Sequence, residues 1–145
     1  ITADHGEEFN DNGKGYWGHN SNFTPAQTHV PMLMHWPGQH LAAEVFDVTS
    51  HYDIIPTLMK ELLGVKNPPA DYALGHSLHD AAVRDVILMA SYGKSALFIP
   101  QKKMLAEINR WGLYHLYDLK GNLKHDARLD GALFRHALSQ MNHFH

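Results

Sequence analysis

The sequence predicts an α/β fold, in which an α/β layer is followed by a small antiparallel sheet and a closing helix. Three observations predict it. The apolar run Ile1-Thr2-Ala3 breaks into Asp4-His5-Gly6 as the carboxyl end of a strand does. Residues 53–63 carry apolar side chains at 54, 55, 58, 59, 62 and 63, the stripe of a helix with one covered face. From 85 to 119 the pattern shortens into strand-like runs separated by the turn signals Gly93-Lys94 and Lys120-Gly121-Asn122.

Each element has its own warrant. Residues 7–28 are polar and rich in Asn and Gly, and read as one long loop of the kind that is usually functional or disordered. His29 to Trp36 is a short apolar run closed by Pro37-Gly38 and reads as a buried strand. The helix over 53–63 has Ser50 or Asp53 as N-cap and Gly64 as its stop, with Pro56 in the first turn where proline is tolerated. Residues 65–82 form a Pro-containing loop. Three strand-like runs follow, 85–91, 96–99 with an extension through 104–108, and 113–119. Apolar positions 129, 132, 133, 137, 138 and 141 predict a helix from Leu129 to Phe144. The chain divides into the end of an α/β core (1–82) and a C-terminal sheet plus helix (83–145), within a single partial domain.

Composition narrows the function classes. The chain has 145 residues, 44% hydrophobic and 19% charged, enough to bury a core as one domain. A net charge of −3 and the lack of a basic stripe argue against a nucleic-acid partner. No apolar run reaches the roughly 18 residues of a membrane-spanning helix. The chain opens at Ile1 rather than Met and holds thirteen histidines. It is therefore expected to be part of something longer, and the missing leader and membrane segments carry no weight. The absence of cysteine excludes a cysteine nucleophile within these residues.

The chemistry is concentrated at the start. Where a strand ends and the chain turns at Gly6, Asp4 and His5 can converge on a cleft at the carboxyl edge of a sheet, where open α/β folds hold ligands. A carboxylate oxygen with an imidazole nitrogen suits zinc or manganese, and calcium less well. By itself the tripeptide is a weak signal, more simply explained by Asp4 capping a turn.

Its surroundings strengthen it. Asp4-His5-Gly6-Glu7-Glu8, then Gly15-Tyr16-Trp17-Gly18-His19, then Gln27-Thr28-His29-Val30-Pro31-Met32 together resemble the C-terminal half of the alkaline phosphatase/sulfatase superfamily. A second block agrees in order and spacing: His51-Tyr52-Asp53-Ile54-Ile55-Pro56-Thr57-Leu58, then Leu63-Gly64-Val65, then Gly75-His76-Ser77-Leu78. The motifs cover residues 1–80. Within the superfamily, the stretches 15–19 and 27–33 resemble the lipid-A phosphoethanolamine transferases. His35-Trp36-Pro37-Gly38, Tyr52-Asp53 and the C-terminal strands look more like the sulfatase-like inner-membrane proteins of Gram-negative bacteria.

The resemblance implies the C-terminal part of an alkaline-phosphatase-like sandwich, on the periplasmic face of a Gram-negative inner membrane. It implies Asp4 and His5 as ligands of a divalent metal, and His19 as a further ligand or an acid to the leaving group. Glu7 either orients His5 or is a surface carboxylate. Lys14 is out of register for a substrate-oxygen contact and reads as solvated. His29 anchors the Val-Pro segment, with a catalytic part as the alternative. His35, His51, His76 and His79 lack ligand spacing, and His143 and His145 suit adventitious metal binding. The implied activity is a hydrolase or phosphoryl-group transferase on an anionic ester or lipid. Its nucleophile and further acidic ligands would come from a missing N-terminal part, so the fragment alone is expected to be inactive. The alternative is a non-catalytic, lipid-binding or regulatory domain attached to the membrane through an N-terminal region. Self-association, or pairing through the edge of the 85–119 sheet, is a further expectation.

Overall fold

A computed structural model describes residues 1–20, 22–38 and 44–143. It is mixed α/β, with a four-stranded antiparallel sheet and a C-terminal helix, consistent with part of an alkaline-phosphatase-like fold. Phe144, the end of the predicted closing helix, and His145, expected to suit adventitious metal binding, lie outside the described residues.

The stretch read as one long loop is more ordered than its composition suggests. It holds two short strands, β1 (Glu8–Phe9) and β2 (Trp17–Gly18), paired antiparallel with Glu8 opposite Gly18 and Phe9 opposite Trp17. The Asn and Gly residues make the turn between them: Asn10, Gly13 and Gly15 all have positive φ. The Asn10 side chain accepts from the Gly15 N–H at 2.6 Å, and the Asn10 N–H donates to the Tyr16 carbonyl at 2.8 Å. A four-residue helix, α1 (Pro25–Thr28), follows.

The buried strand expected over 29–36 does not form. Met32 makes an isolated bridge with Thr2, and Leu33 exchanges backbone bonds with Ile1, while Leu33, Met34 and His35 stay exposed. One short neighbour gives a strand neither a ladder nor a cover, and Pro31 contributes no N–H.

Helix α2 (Ile54–Glu61) is shorter than expected because residues 51–53 wind as a tight 3-10 turn. Both N-cap candidates are used. The Ser50 hydroxyl accepts from the Tyr52 N–H at 3.2 Å, and the Asp53 carboxylate accepts from the Ser50 N–H at 2.8 Å, a reciprocal capping box. Gly64, with φ of 64°, ends the helix as expected.

The meander comprises β3 (Ile87–Ser91), β4 (Lys94–Ile99), β5 (Met104–Asn109) and β6 (Tyr114–Asp118), in that spatial order. The second of the three predicted runs is thus two strands. Pro100 starts a 3-10 turn and Lys103 is left-handed, which reverses the chain between Ile99 and Met104. Helix α3 (Gly131–Met141) is capped by Asp130, whose carboxylate accepts from the Ala132 and Leu133 N–H groups.

Strand alternation supplies two packed faces. Leu97, Ile99, Ala106, Ile108 and Leu116 face Leu129, Ala137 and Phe134. Ala96 and Leu105 on the opposite face are covered by Phe23, from the segment joining β2 to α1. Lys14 adds a polar tether, donating to the Gly121 carbonyl at 2.5 Å and to the Asn122 side-chain oxygen at 3.0 Å. The lysine read as solvated therefore joins the hairpin loop to the meander.

Candidate metal centre

The β1–β2 ribbon positions the site. Glu7 immediately precedes β1 and His19 immediately follows β2, so they continue the register as the next facing pair. The His19 Nδ1 lies 2.8 Å from the Glu7 Oε2. His5 stacks on His19 with ring centroids 4.4 Å apart and planes 18° from parallel. One donor atom from each of His5, Glu7 and His19 lies within 4.8 Å of the other two, and all three residues are exposed. Asp4 stands beside this group, with its Oδ2 3.7 Å from the His5 Nε2 and its Oδ1 accepting from the His5 N–H at 3.1 Å.

The donor set fits a borderline divalent ion. Two imidazole nitrogens and a carboxylate oxygen are zinc and manganese ligands. Ligand atoms about 2.0–2.1 Å from a tetrahedral ion stand roughly 3.3 Å apart, so exposed side chains need only small rotations to close around one. His5, Glu7 and His19 would hold it, with Asp4 adjacent.

Two features below the surface hold these side chains. Gly6 does not have positive φ; what requires glycine is the close approach of α1. A Cβ there would collide with the Ala26 carbonyl, and the Gly6 N–H donates to the Gln27 carbonyl at 2.7 Å. The second is Glu8, fully buried on the ribbon face opposite Glu7. Its Oε2 accepts from Asn22 at 2.5 Å, Thr24 at 2.9 Å and Gln27 at 3.2 Å. Glu8 therefore ties β1 to the segment running from His19 into α1. Beside the chemically prominent Glu7, it carried no sequence signal, because strands of two residues are too short to show which neighbour turns inward.

The other described histidines that the sequence singled out stand elsewhere. His29 closes α1, its N–H donating to the Pro25 carbonyl at 2.8 Å. His35 is exposed, and His79 packs edge-on against Trp36. His51 meets the Thr2 hydroxyl at 3.3 Å, and His143 reaches the Ala70 carbonyl at 2.9 Å. His76 joins a buried ion pair between Asp53 and Arg84, its N–H donating to Asp53 at 3.1 Å. That cluster locks the start of α2 to the 75–84 segment. Gly75 is required there, because a Cβ would run into the Tyr52 backbone.

A family model described as Sulfatase matches residues 1–65, the span that contains the ribbon, the metal-competent group and α2. The match supports a likeness of this span to the alkaline phosphatase/sulfatase superfamily. It is 32% identical over 115 residues to the inner membrane protein YejM of Salmonella typhimurium and, equally, to that of Salmonella typhi. It is 27% identical over 128 residues to an uncharacterized protein of Haemophilus influenzae. These alignments cover 79% and 86% of the chain, but the chain spans only 19% of the length of each relative.

Proposed function

We propose that these residues complete the metal centre of a sulfatase-family hydrolase or phosphoryl-group transferase acting on anionic esters. The observation that carries this reading is the convergence of His5, Glu7 and His19 within 4.8 Å, inside the sulfatase-matched segment. A divalent ion held there would polarise a phosphoryl or sulfuryl oxygen. The protein's own residues hold and orient: Glu7 faces His19, Asp4 flanks His5, and the Glu8 clamp fixes the ribbon behind them.

The nucleophile and the remaining acidic ligands are assigned to parts of the full-length protein outside this 19%. The chain alone is accordingly expected to bind metal without turnover. The relatives named as inner membrane proteins support a site on the periplasmic face of that membrane in the full-length protein. The same relatives support a second reading, in which the site binds an anionic lipid in a regulatory, non-catalytic domain.

Isothermal titration with zinc or manganese tests the metal reading. One ion per chain is expected, with affinity falling at least tenfold in His5→Ala, Glu7→Ala and His19→Ala and less in Asp4→Ala. Unchanged affinity in all three variants would sink it. Phosphodiesterase and sulfatase assays on the full-length protein, with and without His5→Ala, then separate the catalytic from the lipid-binding reading.

A further inference from the structure

The ribbon that carries Glu7 and His19 carries a second pair on the same face. Side chains alternate along a strand, so Phe9 shares a face with Glu7, and Trp17 with His19, while Glu8 turns to the opposite, buried side. Phe9 and Trp17 are cross-strand partners in edge-to-face contact, with centroids 6.2 Å apart and planes at 82°. They lie two facing pairs along from Glu7 and His19, about 7 Å at ordinary strand rise.

Both rings are largely in water, Phe9 63% and Trp17 67% exposed. The hairpin has fastenings besides this pair. The ribbon is fixed from its other face by Glu8, and its turn by the side-chain and backbone bonds of Asn10. Two of the largest apolar side chains, packed on each other, are thus displayed in water beside a metal-competent group.

We propose that Phe9 and Trp17 form a subsite for the apolar alcohol part of a phosphate or sulfate ester whose anionic head sits at His5, Glu7 and His19. The inference rests on the metal reading above and adds the substrate class. A metal with two imidazoles and a carboxylate holds the head group of any such ester. The aromatic pair, reached within one small ligand's length, distinguishes esters of apolar alcohols from esters of polar ones. Exposed aromatic faces accept alkyl chains and rings alike, and their edge-to-face arrangement presents one ring face to the ligand.

Calorimetry on the zinc-loaded chain tests this with hexyl phosphate and glycerol phosphate, two monoesters of equal charge and unlike alcohols. The expected result is hexyl phosphate binding at least tenfold more tightly. In Phe9→Ala and in Trp17→Ala the preference should fall below twofold while glycerol phosphate and zinc affinities stay unchanged. Equal affinities of the two esters in the unaltered chain would overturn the subsite whatever the variants do, as would a preference that survives both substitutions with zinc still bound. A chain that takes up no zinc through His5 and His19 overturns the metal reading itself, and the subsite with it.

Discussion

Gly6 and Glu8 flank the exposed Glu7, and both act through backbone placement rather than chemistry. A methyl group on Gly6 has no room against the Ala26 carbonyl, so Gly6→Ala must push α1 away from the ribbon. Overpacking of this kind costs about 1–3 kcal/mol. It should also weaken zinc binding, because His5 precedes the displaced residue. A Gly6→Ala protein with unaltered urea midpoint and zinc affinity would show that α1 does not press on this position. Glu8→Ala removes the acceptor shared by Asn22, Thr24 and Gln27 and leaves buried donors unpaired, at about 1–3 kcal/mol. Glu8→Gln retains the carbonyl acceptor and should recover part of that loss in the same urea titration. Equal losses in the two variants would mean that cavity formation, and not the acceptor, sets the cost.

At the scale of elements, the two ends of the β6–α3 connection are held by carboxylates. Asp118 accepts from the Lys120 and Asn122 N–H groups and meets Lys124 at 3.0 Å, and Asp130 caps α3. Backbone N–H donors hold both carboxyl groups below their ordinary value of 3.8, with help from Lys124 at Asp118. A carboxylate with a depressed folded-state pKa stabilises the fold at all pH values above its unfolded pKa. That contribution drains as pH falls below about 3.8 toward the folded value. Helical circular dichroism should therefore start to fall below that pH, and Asp130→Ala should show a weaker dependence there. An identical acid profile in the variant would remove Asp130 as the cause. Helix α2 differs from α3 in its cover. Its apolar stripe was visible in the sequence, yet Ile55, Leu62 and Leu63 face solvent. Periodicity reveals that a helix has an apolar face and not what covers it.

Over the whole molecule, the ribbon segment and the meander are joined chiefly by Phe23 against Ala96 and Leu105, with Lys14 at the 121–122 turn. Leu33 and Met34 near the N-terminal bridge, and the outer face of α2, remain exposed apolar surface. Such surface favours association. Light scattering should show mass rising with concentration, and Leu62→Lys with Leu63→Lys should lower it at little cost in stability, within about 0.5 kcal/mol each. A monomer at every concentration would contradict this. Zinc gives a second readout: at 100 times its Kd, native-state binding adds about 2.7 kcal/mol. The thermal midpoint should rise in the unaltered chain and stay fixed in His5→Ala, His19→Ala double-variant protein.

The sequence by itself determined the α/β class, the Ser50–Asp53 cap on the turn that leads into α2, the closing helix and the sulfatase-family resemblance. All of these are written in local order: caps, turn residues, periodicity and ordered motifs are properties of neighbouring residues. The tertiary structure decided the rest. It divided one apolar run into β4 and β5 at Pro100 and left 29–36 with one isolated bridge to Thr2 in place of a strand ladder. It also turned a supposed loop into a ribbon. The family resemblance named Asp4, His5 and His19, but only the pairing of Glu8 with Gly18 brings Glu7 opposite His19 and buries Glu8. Register in a two-residue strand is set by contacts across the fold, from Asn22, Thr24 and Gln27, and no pattern within the strand can encode it.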